Sequence, residues 1–103
     1  MKNLTDITKF DVIYDNIIIE PIKETEAVGD LVLPQGYEDK PQLGTVIKVG
    51  EGRLMENGII VPFNVKIGDV ILFNKYSTTQ FLLKGKEYLV LRSEDIIAIY
   101  RND

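Results

Sequence analysis

Short apolar runs alternate with turn residues along most of this chain, at the spacing of β-strands. Val12-Ile13-Tyr14 and Ile17-Ile18-Ile19 are β-branched and aromatic, and Pro21 closes the segment. Three isoleucines in succession predict a strand covered on both faces, in part by another subunit. Between Gly44 and Gly50 the residues alternate, with Thr45, Ile47 and Val49 expected on one face and Val46 and Lys48 on the other. Asn57-Gly58 lies between apolar flanks and predicts a hairpin with a type I′ turn, which needs positive φ at both central residues. Ile67-Gly68-Asp69 is a turn feeding a strand over residues 70–73, and Phe81–Leu83, Lys84-Gly85 and Tyr88–Leu91 form a second predicted hairpin. Ser93-Glu94-Asp95 interrupts the pattern before a last strand, Ile96–Tyr100. A helical period is not sustained beyond one turn near Leu4–Ile7. With no internal repeat and no linker, the pattern predicts one all-β domain over residues 1–103, a small irregular barrel or sandwich.

One stretch breaks the rhythm. Residues 23–42 read as loop, rich in Glu, Asp, Gly and Pro, yet carry Leu31-Val32-Leu33 between Gly29-Asp30 and Pro34-Gln35-Gly36. Loops beyond about 12–15 residues are uncommon in compact domains unless they have a function of their own. The triplet is either an ordinary short strand or a segment meant for a partner. Burying the three side chains in a partner's groove would contribute about 1.5–3 kcal/mol each. Ordering the loop would cost about 1–2 kcal/mol per residue fixed. One copy therefore binds weakly, whereas several copies on one assembly bind far more tightly through effective concentration.

Composition narrows the chemistry. The chain has neither cysteine nor histidine, so it lacks thiolates, Cys-based zinc sites and the usual general base near neutral pH. A net charge of −4 with scattered bases weakens a nucleic-acid role. Lys84 and Lys86, the one tight basic pair, fit a solvated hairpin turn. Gly50-Glu51-Gly52 lacks the third glycine and following helix of a dinucleotide motif and reads as a turn. Glu38-Asp39 and Glu94-Asp95 read as turn or capping residues rather than calcium ligands. Ser77-Thr78-Thr79 has no histidine to activate its hydroxyls. The sequence supports no enzyme and no metal site, and no apolar run approaches the roughly 18 residues of a membrane span. The N-terminus lacks a signal-peptide core, which predicts a cytoplasmic protein. The last strand is apolar and carries little charge to protect its edge. It either closes this chain's own barrel or pairs with another subunit.

Several motifs in fixed order carry a resemblance. They are Tyr14-Asp15, Gly29-Asp30-Leu31-Val32-Leu33-Pro34, Lys40-Pro41-Gln42-Leu43-Gly44 and Val49-Gly50-Glu51-Gly52-Arg53. Glu56-Asn57-Gly58, Val65-Lys66-Ile67-Gly68-Asp69, Leu72-Phe73-Asn74-Lys75-Tyr76 and Asp95-Ile96-Ile97-Ala98-Ile99 follow. In these the chain resembles the chaperonin-10, GroES-like co-chaperonin family from about Phe10 to Tyr100. The resemblance implies an irregular GroES-like β-barrel, assembled as a homo-heptameric dome that caps an ATP-bound chaperonin-60 (GroEL-type) ring and encloses non-native proteins.

It further implies that residues 23–42 form a mobile loop. Gly29 and Asp30 would shape its turn, and Leu31, Val32 and Leu33 would enter a groove between two helices of each apical domain. Glu56, Asn57 and Gly58 map to a roof hairpin spanning residues 51–62, and Tyr76 to the cavity-facing rim. Phe10, Val12 and Ile13 of one subunit map against Ile97, Ile99 and Tyr100 of its neighbour. ATP belongs to the partner, so no cofactor is expected here, nor nucleic acid or membrane. The location expected is the cytoplasm of a bacterium, or of the host if the protein is phage-borne. The chain departs from the family in an N-terminal extension over residues 1–9, in Asp30 where a second glycine is common, and in the apolar Ile59 and Ile60 of the roof hairpin. Two readings from other classes stand beside this one. The first is a nucleic-acid-binding module on an OB- or SH3-like barrel. The second, the related barrel of medium-chain dehydrogenases, is without its zinc ligands here.

Overall fold

The computed structural model describes residues 6–22 and 41–101. Its strands are β1 (Asn16–Pro21), β2 (Pro41–Val49), β3 (Arg53–Leu54), β4 (Ile60–Val61), β5 (Val70–Asn74), β6 (Thr79–Leu83), β7 (Lys86–Arg92) and β8 (Ile96–Tyr100). Six of them make one antiparallel sheet in the order β6-β7-β1-β2-β5-β8, while β3 and β4 form a separate ribbon. Short 3-10 turns at Ile7–Lys9, Lys75–Ser77 and Ser93–Asp95 are the helical elements among the described residues. The fold is all-β, as the pattern predicts.

β1 explains the isoleucine run. Ile17 and Ile19 are fully buried in the main core with Val46, Val65, Ile71, Phe73, Leu89 and Leu91. Strands β1, β2, β5 and β7 all supply this cluster, and Ile96 and Ile99 of β8 pack against it. The sheet therefore curls around its own core, as in a small irregular barrel, with β6 and β8 as its two edges. Ile18 points the other way, into a second cluster with Leu83 and Tyr88, covered by Ile7, Phe10, Val12 and Phe81. The rings of Phe10 and Phe81 lie 6.2 Å apart and those of Phe81 and Tyr88 5.6 Å apart. The run is thus covered on both faces, but the outer cover of Ile18 comes from this chain's own N-terminal segment and the β6–β7 hairpin.

Three local expectations are corrected. Val12-Ile13-Tyr14 is not a strand: Tyr14 has a φ of +55° inside a turn, and β1 begins at Asn16. The alternation over Thr45–Val49 is broken. The β1–β2 register shifts between Ile18 and Ile19, pairing Ile18 with Lys48 and Ile19 with Val46. Ile47 is the extra residue of this bulge. As a result Val46 and Val49 both pack on the main core, while Ile47 joins the second cluster.

The type I′ expectation at Asn57-Gly58 is also corrected. At the expected type I′ site only Gly58 has positive φ, at +85°. Met55 N–H donates to Ile59 O and Gly58 N–H to Met55 O, both at 2.9 Å, so three residues, Glu56-Asn57-Gly58, form the loop. This is a type I turn followed by a left-handed glycine. The two-residue turn with positive φ at both positions is Lys84-Gly85, at +54° and +79°, between the paired residues Leu83 and Lys86.

Candidate partner-binding surface

The long segment leaves and re-enters the barrel at one point. Pro21 at the end of β1 is in register with Gly44 of β2, and Ile22 N–H donates to Leu43 O at 2.9 Å. Residues 23–40, with Gly29, Asp30, Leu31, Val32 and Leu33, lie outside the described residues. The residues that flank them sit at the central pair of strands: Ile22 follows β1 and is bonded to β2, and Pro41 opens β2. The strand reaches back to Pro41, so the last two positions of the 23–42 loop expectation belong to β2.

Tyr76 stands at this same end. Pro41 is in register with Asn74, the last residue of β5, and Asn74 Oδ1 accepts a hydrogen bond from Tyr76 N–H at 2.9 Å. That cap turns the chain outward and leaves Tyr76 65% exposed. The Glu56-Asn57-Gly58 tip lies beyond the other end of β2. A straight strand of β2's length would span about 27 Å, at roughly 3.4 Å per residue. Leu54, Met55, Ile59, Ile60 and Val61 around that tip are all exposed. Asn57 Oδ1 accepts from Ile59 N–H at 3.1 Å and steadies the turn.

The residues expected at subunit contacts divide into two groups. Ile13, Ile97 and Tyr100 are 61–62% exposed. Phe10 and Val12 instead pack on the second cluster, and Ile99 packs on the main core. β8 pairs with β5 on one side and has no strand on its other side among the described residues. An open groove of about 360 Å³ runs beside it, lined by Phe63, Val65 and Ile96–Ile99. Of the two readings of the last strand, self-closure of the barrel is not what the pairing gives.

Three bases of the described surface are paired with acids. Lys86 lies 3.1 Å from Glu20, and that hydrogen bond raises its pKa above the ordinary 10.5. Arg92 lies 3.6 Å from Asp15 and 3.4 Å from Glu94, and Arg101 lies 3.5 Å from Asp69. Each of these three bases faces a carboxylate. Among the described residues no group of three or more acids could hold a metal ion, and no helix is long and apolar enough to cross a membrane.

Two structural clusters carried little signal in the strand pattern. Asp15 is buried, its Oδ2 accepting from Ser93 Oγ at 3.3 Å while its carbonyl accepts from Ser93 N–H at 3.0 Å. Arg101 donates to Asn64 O, and Asp69 Oδ2 also accepts from Lys66 N–H at 3.0 Å, which ties the end of β8 to the turn before β5. The Gly-Glu-Gly spacing was the visible mark of a third cluster, in which Glu51 meets the backbone of Tyr14.

These features define a class: a small all-β scaffold with a long excursion between its two central strands, an apolar ribbon at the opposite end and an unpaired terminal strand. Residues 9–100 match the family described as Chaperonin 10 Kd subunit, and the chain belongs to that family. Curated relatives named Co-chaperonin GroES agree. The one from Enterococcus faecalis is 51% identical over 85 residues, covering 82% of this chain and 90% of the relative. That from Aquifex aeolicus is 40% identical over 89 residues, covering 84% and 73%. That from Geotalea daltonii is 41% identical over 86 residues, covering 82% and 90%. The chain is a co-chaperonin of GroES type, and the nucleic-acid module is not favoured.

Proposed function

We propose that seven copies of this chain form a ring that caps an ATP-bound chaperonin-60 (GroEL-type) ring, displaces bound non-native protein and encloses it for folding. The observation that carries this reading is the 51% identity to a relative named Co-chaperonin GroES over 82% of the chain. The hydrogen bond between Ile22 and Leu43 supports it, because it joins the chain on either side of residues 23–40. In this reading Leu31, Val32 and Leu33 enter the partner's apical groove, with Gly29 and Asp30 shaping the turn. Seven such contacts, each weak, give a latch that is tight in sum and released when the partner changes shape. The apolar ribbon around Glu56-Asn57-Gly58 forms the roof and Tyr76 faces the enclosed cavity.

The exposed edge of β8, with Ile97 and Tyr100, meets the N-terminal segment carrying Ile13 of the adjacent copy. ATP is bound and hydrolysed by the partner, so this chain has no cofactor and no catalytic residues, and it works in the cytoplasm. The test is sedimentation of the chain with a chaperonin-60 ring, with and without ATP. Leu31→Asp and Leu33→Asp should each abolish co-sedimentation with the ATP-loaded ring, while the chain alone keeps the wild-type sedimentation coefficient. Capping that survives both changes would remove the tripeptide from the mechanism.

A further inference from the structure

Tyr14 holds a left-handed backbone conformation, with φ at +55°. Such a conformation is uncommon for any residue with a Cβ and an outlier for a bulky one. Its ring does not account for it, being 39% exposed. Its backbone does. The Tyr14 N–H donates to Glu51 Oε1 at 3.0 Å, and the Tyr14 carbonyl accepts from Gly52 N–H at 3.0 Å. Gly50 N–H donates to Asn16 O at 3.1 Å, so three consecutive residues grip the knuckle from one side.

The glycines permit that approach. A Cβ on Gly50 would lie 2.0 Å from Tyr14 O. One on Gly52 would lie 2.4 Å from Val61 O, at the base of the β3–β4 ribbon. From the other side, Asn16 N–H and Nδ2 both donate to Ile13 O, at 3.2 and 2.8 Å.

Within this cluster Glu51 is exposed and fills no core space. Its one recorded bond is to the residue with the unfavourable conformation. We infer that Glu51 is a positioning residue, whose carboxylate holds Tyr14 in the left-handed conformation and so sets the direction in which residues 10–13 leave the sheet. The same three residues, Gly50–Gly52, anchor the apolar ribbon, so the course of the N-terminal segment and the base of that ribbon are fixed by one turn. The consequence for assembly rests on the ring reading above, in which Ile13 meets the neighbouring copy.

Amide hydrogen exchange of the full chain, read together with sedimentation, tests this. Glu51→Ala should speed exchange of the Tyr14 amide about tenfold, the loss of one hydrogen bond to a charged acceptor. The amides of β1 and β2 should keep their protection. Glu51→Gln retains an acceptor oxygen and should stay within about threefold of the wild type. The assembled fraction should fall in Glu51→Ala and recover when Tyr14→Asn is added, because asparagine tolerates the left-handed region.

Unchanged Tyr14 exchange in Glu51→Ala overturns the inference. So does equal loss in the alanine and glutamine variants, or a general loss of protection across β1 and β2. If the wild type itself sediments as a monomer, the ring reading fails while the exchange result still decides the role of Glu51.

Discussion

Asp6 shows how much a single exposed side chain can organise. Its Oδ1 accepts from Thr8 N–H at 3.0 Å and from the Thr8 hydroxyl at 2.6 Å, capping the 3-10 turn Ile7–Lys9. Lys48 Nζ donates to Thr8 O at 3.2 Å and ties that turn to β2. The turn carries Ile7 onto the cluster around Ile18. The Thr8 bonds, first the hydroxyl and then the backbone, hold the Asp6 pKa below its ordinary 3.8. A depressed carboxyl pKa contributes stability above the unfolded value, and that contribution is lost as pH falls through the folded value. Asp6→Ala should therefore unfold at lower temperature than the wild type at pH 7, with the difference shrinking once pH drops below 3.8. Thermal melts of both proteins across that range would check it, and a gap that did not shrink as pH fell would contradict the cap. At this scale the sequence was only partly legible. Of the expected helical turn near Leu4–Ile7, Leu4 and Thr5 lie outside the described residues, and a 3-10 turn begins at Ile7. Asp15, flanked by Tyr14 and Asn16, bore no mark of the buried carboxylate it becomes, because its partner Ser93 lies 78 residues away.

The two hairpins separate what a dipeptide says from what a register imposes. Asn-Gly favours the type I′ turn on intrinsic grounds, yet at Asn57-Gly58 the hydrogen-bonded pair Met55–Ile59 sets the loop at three residues. Lys84-Gly85, a poorer dipeptide, takes the two-residue turn because Leu83 and Lys86 are directly paired at the ends of β6 and β7. Gly85→Ala should then cost about 1–2 kcal/mol, the penalty for a Cβ in the left-handed region. Asn57→Lys, at a position of negative φ, should cost less than about 1 kcal/mol, for one exposed hydrogen bond. Urea unfolding of the two variants would rank them, and the reverse order would mean that the turn types are assigned to the wrong hairpins. The bulge at Ile47 was hidden for a related reason. Strict alternation is the expectation for any unbroken strand, and one extra residue leaves no trace in composition while moving Val49 to the opposite face.

For the whole molecule, the all-β class was legible because turn residues punctuate most of the apolar runs, and the ordered motifs named the family. The cover over Ile18 was not, because it depends on Phe10 and Val12 folding back from beyond a knuckle that no local pattern announces. The single chain has an apolar, uncharged edge at β8 among the described residues, with Ile97 and Tyr100 exposed. Association that covers this edge links stability to concentration. The unfolding temperature should rise by about 5 °C for each tenfold increase in protein. Ile97→Lys, exposed in the subunit, should flatten that dependence without lowering the plateau of the dilute protein. A wild-type midpoint independent of concentration would count against assembly through β8. The paired neck at Pro21 and Gly44 has a further consequence. Because β1 and β2 are paired up to it, the cost of changing the length between the two ends grows only with its logarithm. The excursion is thus an exchangeable part. Its 18 residues, from 23 to 40, can be rewritten or resized while the strands that flank them stay as they are.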